Sequence, residues 1–115
     1  KRLRKIGSNT FCADCADTDT RFASVTLGVF LCNRCFGLHR ALGAHVTRAK
    51  VLTLDAWSED EVALLAAVGN DRANAYFLAN LPESRPKPEP ETSDRALGHF
   101  LREKYELKRF AAQGP

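Results

Sequence analysis

The chain of 115 residues contains no methionine, a single tryptophan, only four cysteines and no long run of apolar residues. A membrane-spanning helix needs about 18 consecutive apolar residues, so the sequence predicts none. The basic opening KRLRKIGSNT is not followed by an apolar stretch, and we therefore expect no secretory signal. Because the sequence starts without methionine and ends AAQGP, we expect it to be a segment of a longer protein.

Two motifs that would indicate catalysis by the chain itself are also absent. There is no G-x-x-x-x-G-K-[ST] run to bind nucleotide phosphates, and no G-x-S-x-G run to supply a serine nucleophile. Any catalysis is therefore expected to work through a placed charge, acting on a reaction that a partner carries out. Arginine suits that role, because its guanidinium is always charged and matches the geometry of phosphate oxygens.

The charge is distributed unevenly along the chain. Residues 1–50 carry nine Lys and Arg against three acidic residues, whereas residues 51–90 carry three against seven. The basic half suggests an anionic partner for one face. The overall charge of +3 is modest for a dedicated nucleic-acid-binding domain, so nucleic acid is not the expected partner.

The four cysteines form two C-x2-C pairs separated by sixteen residues, at Cys12, Cys15, Cys32 and Cys35. This spacing predicts one zinc ion held by four thiolates. A filled tetrahedron leaves no open position for water, so the zinc is expected to stabilise the fold and to do no chemistry. With a complete cysteine set, the histidines are not expected to be ligands, and partial burial or solvation is predicted for His39, His45 and His99.

The segment between the cysteine pairs is rich in β-branched and aromatic residues and predicts two short strands bending around Leu27-Gly28. Asn33 is expected to cap a helix that runs to about Leu42 and ends at Gly43, with Cys35, Leu38 and Leu42 on its inner face. A third strand is predicted over residues 51–54.

The second half of the sequence predicts mainly helices. A capping box at Ser58 and Glu61 begins one helix that ends at Gly69, and a further helix starts at Asp71. Four prolines in residues 82–90 predict an extended segment, and a last helix is expected from Ser93 or Asp94. The side chains expected to face inward are Val62, Leu65, Ala66, Tyr76, Phe77, Leu97, Phe100, Leu101 and Tyr105.

Arg40 is expected on the outer face of the first helix, roughly 200° around the helix axis from Leu38. Phe36 and Gly37 lie one turn earlier on the same side, which would make an exposed contact patch. A solvated arginine beside a partly covered phenylalanine is the alternative that geometry alone leaves open.

The segments CADC, RFASVTLGVFLCNRC, GLHRALGAHV, LDAW, GNDRAN, LP and KYELKRF occur in the order found in the ArfGAP domain, and the sequence resembles that family from about Asn9 to Phe110. The resemblance implies an α+β fold, in which a small four-cysteine zinc knuckle and a short three-stranded antiparallel sheet are surrounded by about five helices. We expect one domain over 1–115, with a zinc module at about 9–50 and a helical part at about 51–110.

The resemblance also implies a function, stimulation of GTP hydrolysis by a GTP-bound Arf-family small GTPase. Arg40 would be the arginine finger supplied in trans, and GTP and Mg²⁺ would come only with the partner. The expected location is the cytoplasm, with recruitment to Golgi or endosomal membranes through regions outside this chain. A solvated last turn, rather than lipid contact, is expected for Lys104, Lys108 and Arg109.

Further positions match the family pattern and are expected to support the finger or contact the partner. Phe22 stands where the family usually has tryptophan, and Val46-Thr47 stand for Ile-Ser. The full set of expected supporting residues is Phe22, Phe36, His45, Val46, Thr47 and Asp55. Trp57 is expected in the core, and hydrogen bonds at helix ends are expected for Asn70, Arg72 and Asn74.

Two residues depart from the family pattern. Ala16 replaces the usual glycine after the second cysteine, where the knuckle would need a positive φ, at a cost of about 1 kcal/mol. Phe36 replaces a small residue and would either widen a hydrophobic contact or obstruct a docking GTPase. Two alternatives therefore stay open: a catalytically weak zinc-bearing adaptor, and a GATA-like finger binding through Arg34, Arg40, Arg48 and Lys50.

Overall fold

The computed structural model describes residues 3–53 and 56–112. Its strands are β1 (Phe22–Ser24), β2 (Val29–Leu31) and β3 (Ala49–Val51), and its α-helices are α1 (Asn33–Leu42), α2 (Glu59–Ala67), α3 (Gly69–Phe77) and α4 (Asp94–Leu101). Two 3₁₀ turns, Leu3–Lys5 and Gly7–Thr10, precede them, and a π-helical turn, Arg102–Glu106, extends α4. The α+β class with a three-stranded sheet is confirmed, with four α-helices in the described residues.

The sheet is antiparallel, with the strand order β2-β1-β3. The hairpin between β1 and β2 turns at Gly28, whose φ is 78° and whose added Cβ would lie 2.7 Å from Val68 Cβ. Both the conformation and the close approach of α2's end therefore require glycine there. The two predicted strands around Leu27-Gly28 are confirmed.

The third strand was predicted too late in the chain. It runs Ala49–Val51, because β1 pairs Ser24 with Ala49 and Phe22 with Val51. The chain then enters a turn at residues 52–53. Leu54, the predicted end of the strand, lies outside the described residues.

The helix starts agree with prediction at two of the four helices, α2 and α4. The predicted cap of α1 is wrong, since Cys32 is the N-cap and its Sγ accepts from the backbone N–H of Cys35. The capping box of Ser58 and Glu61 begins α2, and Ser93 caps α4, as predicted. Helix α3 begins at Gly69, two residues before the predicted start.

The core consists of two clusters. The larger surrounds the four cysteines and includes, as predicted, Leu97, Phe100, Leu101, Tyr105 and Phe77, with Leu38 and Leu42 packed against it. The smaller lies on the other side of the sheet around Ala23, Phe30, Leu52 and Leu65. Val62 and Ala66 were predicted to face inward but are exposed. Within α2 only Leu65 is buried, and it packs in the smaller cluster. Tyr76 is also wrongly predicted, with 44% of its surface exposed.

The proline-rich segment crosses the surface without helical structure, as predicted. Arg34 on α1 donates to the carbonyl oxygens of Glu89, Pro90 and Thr92. The guanidinium carbon of Arg85 lies 5.4 Å from the ring centroids of both Phe100 and Phe110, which stack on each other. These contacts hold the segment against α1 and α4.

Among the helices of the described residues, none has the length and apolar character to cross a membrane. The division into a zinc module at 9–50 and a helical part stays a prediction.

Candidate functional site

The two C-x2-C pairs bring their four Sγ atoms together at one place. Their Sγ atoms all lie within 4.8 Å of one another, and all four residues are buried. Sγ of Cys15 and Sγ of Cys32 are 3.6 Å apart. That distance is far longer than a disulfide bond and close to the edge of about 3.8 Å that a tetrahedron of thiolates around zinc would have. The four cysteines therefore form a cluster that fits zinc.

The backbone around the cluster also fits metal-bound thiolates. Backbone N–H groups of Asp14 and Cys35 donate to the Sγ atoms of Cys12 and Cys32 at 3.5 and 3.4 Å. Such second-layer hydrogen bonds orient ligands and stabilise their charge. Ala16, which follows the first pair, has a φ of 65°, as the sequence predicted for this position.

Helix α1 presents Arg40 on the outer surface, as predicted. The guanidinium carbon of Arg40 lies 5.7 Å from the centroid of the Phe36 ring, one turn earlier. In the described part of the chain, the guanidinium of Arg40 makes no hydrogen bond or ion pair, and its contact is with the Phe36 ring. Its charge is therefore free to meet an anionic group of another molecule.

Phe36 is half-buried rather than exposed, because its ring stacks on Phe22 at a centroid distance of 4.6 Å and an interplanar angle of 26°. Phe22 is buried in β1, and its ring contacts the Phe36 ring, beside which Arg40 lies. On the protein surface, the guanidinium of Arg21 lies 5.8 Å from the Phe22 ring. Phe36, with Phe22 stacked on it, thus provides an aromatic surface for one side of the Arg40 guanidinium.

The remaining predicted supporting residues lie in different environments. His45 is exposed, with Nε2 3.8 Å from a carboxylate oxygen of Glu106. Val46 is half-buried against the larger cluster, whereas Thr47 is buried and bonded to other side chains. Asp55 lies outside the described residues. Trp57 is half-buried against the smaller cluster, with Lys50 Nζ 5.7 Å from its ring.

A buried charged cluster that was not predicted from the sequence lies next to the cysteines. It is centred on Asp14, whose Oδ1 accepts from Lys104 Nζ at 2.8 Å and from the Tyr105 hydroxyl at 2.6 Å. Lys104 Nζ also donates to Asn74 Oδ1 at 2.6 Å. The expectation of a solvated Lys104 is wrong, since both Lys104 and Asp14 side chains are fully buried. The apolar neighbours Leu101 and Tyr105 could have indicated this burial.

Two asparagines, for which hydrogen bonds at helix ends were predicted, connect parts of the chain that are distant in sequence. Asn70 Oδ1 accepts from Phe30 N–H at 2.7 Å, and its Nδ2 donates to the carbonyl oxygens of Ser8 and Phe11. Asn74 Nδ2 donates to the carbonyl oxygen of Ala13. Arg72 alone bonds at a helix end, donating to the carbonyl oxygen of Ala67 in α2.

The charges in the buried cluster compensate one another. Burial by itself would raise the pKa of Asp14, but the charge of Lys104 and the hydrogen bond from His39 hold that pKa below its usual range. Burial and the neighbouring Asp14 raise the pKa of the Tyr105 hydroxyl. Asp14 is therefore a carboxylate and Tyr105 a neutral donor to it.

Substitution Lys104→Met is expected to destabilise the zinc-loaded domain by about 3–5 kcal/mol, because it leaves the buried carboxylate of Asp14 without its cation. Chemical denaturation measures the change. The matched control is Lys108→Met, which removes an exposed charge from the same segment and should change stability by less than about 0.5 kcal/mol. A loss below 1 kcal/mol for Lys104→Met would contradict the role given to this ion pair.

Comparison with known proteins connects this geometry to one family. Residues 1–114 match the ArfGap family model, described as "Putative GTPase activating protein for Arf". The chain is 39% identical over 109 residues to stromal membrane-associated protein 1 of Mus musculus, and the match covers 95% of this chain and 24% of that protein. It is 40% identical over 114 residues to ADP-ribosylation factor GTPase-activating protein AGD12 of Arabidopsis thaliana, covering 96% of this chain and 34% of that protein.

A solved structure agrees with the fold. The ArfGap domain of human RIP superposes with a TM-score of 0.85 at 26% identity, covering 99% of this chain and 89% of that one. The chain thus spans about a quarter to a third of the length of these two curated relatives, and nearly all of an isolated domain of known structure.

Proposed function

This chain belongs to the ArfGAP family, and from that membership we propose that it stimulates GTP hydrolysis by an Arf-family small GTPase in its GTP-bound state. The observation that carries the proposal is the placement of Arg40, exposed on the helix α1 that begins at the four-cysteine cluster, with a guanidinium that makes no hydrogen bond or ion pair among the described residues. The chain would act as a regulator, while the GTPase supplies the nucleotide, Mg²⁺ and the attacking water.

Arg40 would act as an arginine finger. In the transition state of GTP hydrolysis, negative charge shifts onto oxygens around the β- and γ-phosphates, and a guanidinium placed there lowers the barrier. Such a finger gives roughly 10³–10⁵ in rate, which corresponds to about 4–7 kcal/mol. The absence of a phosphate-binding loop in the sequence fits this division of labour.

The surroundings of Arg40 support a preorganised finger. The stacked rings of Phe36 and Phe22 lie under the guanidinium and restrict its motion on that side. His45 and Val46 follow α1 in the chain and are proposed to contact the partner GTPase, as is Asp55. Because Phe36 is packed on Phe22 rather than projecting freely, we propose that it does not obstruct docking.

One Zn²⁺ bound by Cys12, Cys15, Cys32 and Cys35 is proposed to be structural. Four thiolates complete its coordination, so it would offer no site for a water or a phosphate oxygen. Cys32 and Cys35 lie at the start of α1, and the metal would therefore fix the end of the helix from which Arg40 projects.

Single-turnover hydrolysis by GTP-loaded Arf-family GTPases tests the proposal. We expect the zinc-loaded chain to accelerate hydrolysis by at least about 10³-fold at saturation. The adaptor alternative predicts binding to the GTP-bound GTPase with unchanged hydrolysis. No acceleration across several such GTPases, by a chain shown to be folded and zinc-loaded, would contradict the proposed activity.

We propose a cytoplasmic location, with recruitment to Golgi or endosomal membranes through regions outside this chain. We propose that membrane contact is indirect. A nucleic-acid-binding role is not supported by the structure, because Arg34, one of its four required cations, is engaged with the proline-rich segment.

A further inference from the structure

A buried series of hydrogen bonds links the first cysteine pair to α1 and β1. Asp14 Oδ2 lies 2.7 Å from His39 Nε2, and His39 Nδ1 lies 3.1 Å from Thr47 Oγ1. Thr47 Oγ1 lies 2.7 Å from Ser24 Oγ, which also accepts from the backbone N–H of Leu27 at 3.1 Å. We call these four side chains, Asp14, His39, Thr47 and Ser24, the buried polar chain.

Every member of the buried polar chain is almost fully shielded from water, with exposed fractions of 4% for Asp14, 0% for His39, 2% for Thr47 and 0% for Ser24. Hydrogen bonds are strong in such surroundings, and an unpaired polar group is costly there. Substituting one member therefore disturbs its neighbours rather than exchanging a protein contact for a water contact.

One consistent direction of donation satisfies all four side chains. The Leu27 N–H donates to Ser24 Oγ, the Ser24 hydroxyl can then donate to Thr47 Oγ1, and the Thr47 hydroxyl can donate to His39 Nδ1. In this arrangement the imidazole proton on Nε2 donates to the carboxylate of Asp14. The Thr47 hydroxyl is the only partner of His39 Nδ1 in the described residues.

The buried polar chain holds the half of α1 that carries Arg40. Cys32 and Cys35 anchor the first turn, whereas His39 lies one turn after Cys35 on nearly the same face. Arg40 follows His39 directly, about 100° further around the helix axis. The rotation of this last turn therefore decides where the guanidinium of Arg40 points.

The loop after α1 closes the same arrangement. Gly43 ends the helix with a φ of 99°, and the backbone N–H groups of Val46 and Thr47 both donate to the Gly43 carbonyl oxygen. This tight turn brings the Thr47 hydroxyl back beneath His39. Thr47 thus connects the end of α1 with Ser24 in the central strand of the sheet.

We propose that the buried polar chain sets the position of Arg40, so that His39 and Thr47 are positioning residues for GTPase activation although neither would touch the nucleotide. The kinetic part of this inference rests on the proposed function, whereas its structural part concerns the free domain alone. Because Asp14 lies between Cys12 and Cys15, the same contacts would couple the cysteine cluster to the finger.

Thr47 offers the sharpest test, because it lies at the end of the buried polar chain away from the ion pair of Asp14 and Lys104. Substitution at Asp14 or His39 would disturb that ion pair and could prevent folding. Thr47→Val removes the hydroxyl while keeping the side-chain shape, and Thr47→Ser keeps the hydroxyl. The matched control is Thr20→Val, which changes a buried threonine, 2% exposed, in the segment before β1.

The first readout is the single-turnover rate as a function of the concentration of zinc-loaded protein. We expect Thr47→Val to lower the maximal stimulated rate about tenfold, since a small misplacement of a catalytic group is costly, with half-saturation changed less than about twofold. Thr47→Ser should restore the maximal rate, and Thr20→Val should leave it unchanged even though a buried hydroxyl has been removed.

The second readout is the Nε–Hε resonance of Arg40 in the free domain by NMR, which reports its position over the Phe36 ring. Thr47→Val should move this resonance towards that of an exposed arginine, while Thr47→Ser and Thr20→Val should not. If wild-type protein stimulates no GTPase, the proposed function fails, and this readout still decides whether the buried polar chain positions Arg40.

Three results would overturn the inference. One is a Thr47→Val variant with the wild-type Arg40 resonance. A second is equal impairment of Thr47→Val and Thr47→Ser, which would indicate packing rather than hydrogen bonding. The third is a change confined to half-saturation, which would make Thr47 a partner-contact residue.

Discussion

Substitution Arg40→Lys is expected to abolish nearly all stimulation of GTP hydrolysis, a loss of roughly 10³-fold or more, while the fold and the zinc content stay unchanged. Arg40 is exposed, so its replacement removes no buried contact beyond the edge of the Phe36 ring. Lysine keeps the positive charge but offers a single ammonium in place of a planar fork, and it cannot contact two phosphate oxygens with the same geometry.

Controls separate this loss from general effects of charge and folding. Arg95→Lys makes the same change on the exposed surface of α4 and is expected to leave stimulation within about twofold of wild type. Zinc stoichiometry and the thermal transition should match for the three proteins. Stimulation by Arg40→Lys within tenfold of wild type would contradict the finger role and would turn attention to the adaptor alternative.

The parts of the fold that sequence could predict depend on local rules. The cysteine spacing indicated the cluster, the capping box of Ser58 and Glu61 marked the start of α2, and the glycine at position 28 marked the hairpin. The capping box and the hairpin glycine are each determined by residues within a few positions of one another, and the cysteine cluster by two C-x2-C pairs sixteen residues apart. The outward position of Arg40 follows in the same way from helix periodicity.

The parts that sequence could not predict depend on long-range contacts. Asp14 and Lys104 are 90 positions apart, and each alone looks like an ordinary surface charge. The partial burial of Phe36 depends on Phe22 in another element, and the shift of β3 depends on its pairing with β1. Such partners become visible only when the chain is folded.

The site therefore combines a local motif with a distant support. Arg40 comes from a short helix whose start is held by cysteines, and the end of that helix is held by Asp14, Thr47 and Ser24 through His39. Lys104 and Tyr105, from the end of the chain, hold Asp14 in turn. Removal of the π-helical turn that carries Lys104 and Tyr105 would thus disturb the support of Arg40, which lies 64 positions before Lys104 in the sequence.

Removal of zinc is expected to unfold the domain altogether. The four cysteines are between 0% and 4% exposed and lie at the centre of the larger core cluster, where they join β1, β2, α1 and the first knuckle. Structural zinc contributes an apparent 10–16 kcal/mol, roughly, to folding in small zinc-binding peptides. That is as large as the whole net stability of a typical domain, about 5–15 kcal/mol, so little would be left without the metal.

A zinc-selective chelator in excess should abolish the helical circular dichroism and the cooperative thermal transition. All four cysteine thiols should become reactive together with that loss. Returning one equivalent of zinc under reducing conditions should restore both signals, whereas chelator already saturated with zinc should have no effect. Cys15→Ser should reproduce the loss, because three thiolates and a hydroxyl hold zinc more weakly. A metal-free chain that kept its thermal transition would show that packing alone holds the knuckle, since the contacts around Asp14 and Lys104 would then suffice without a metal.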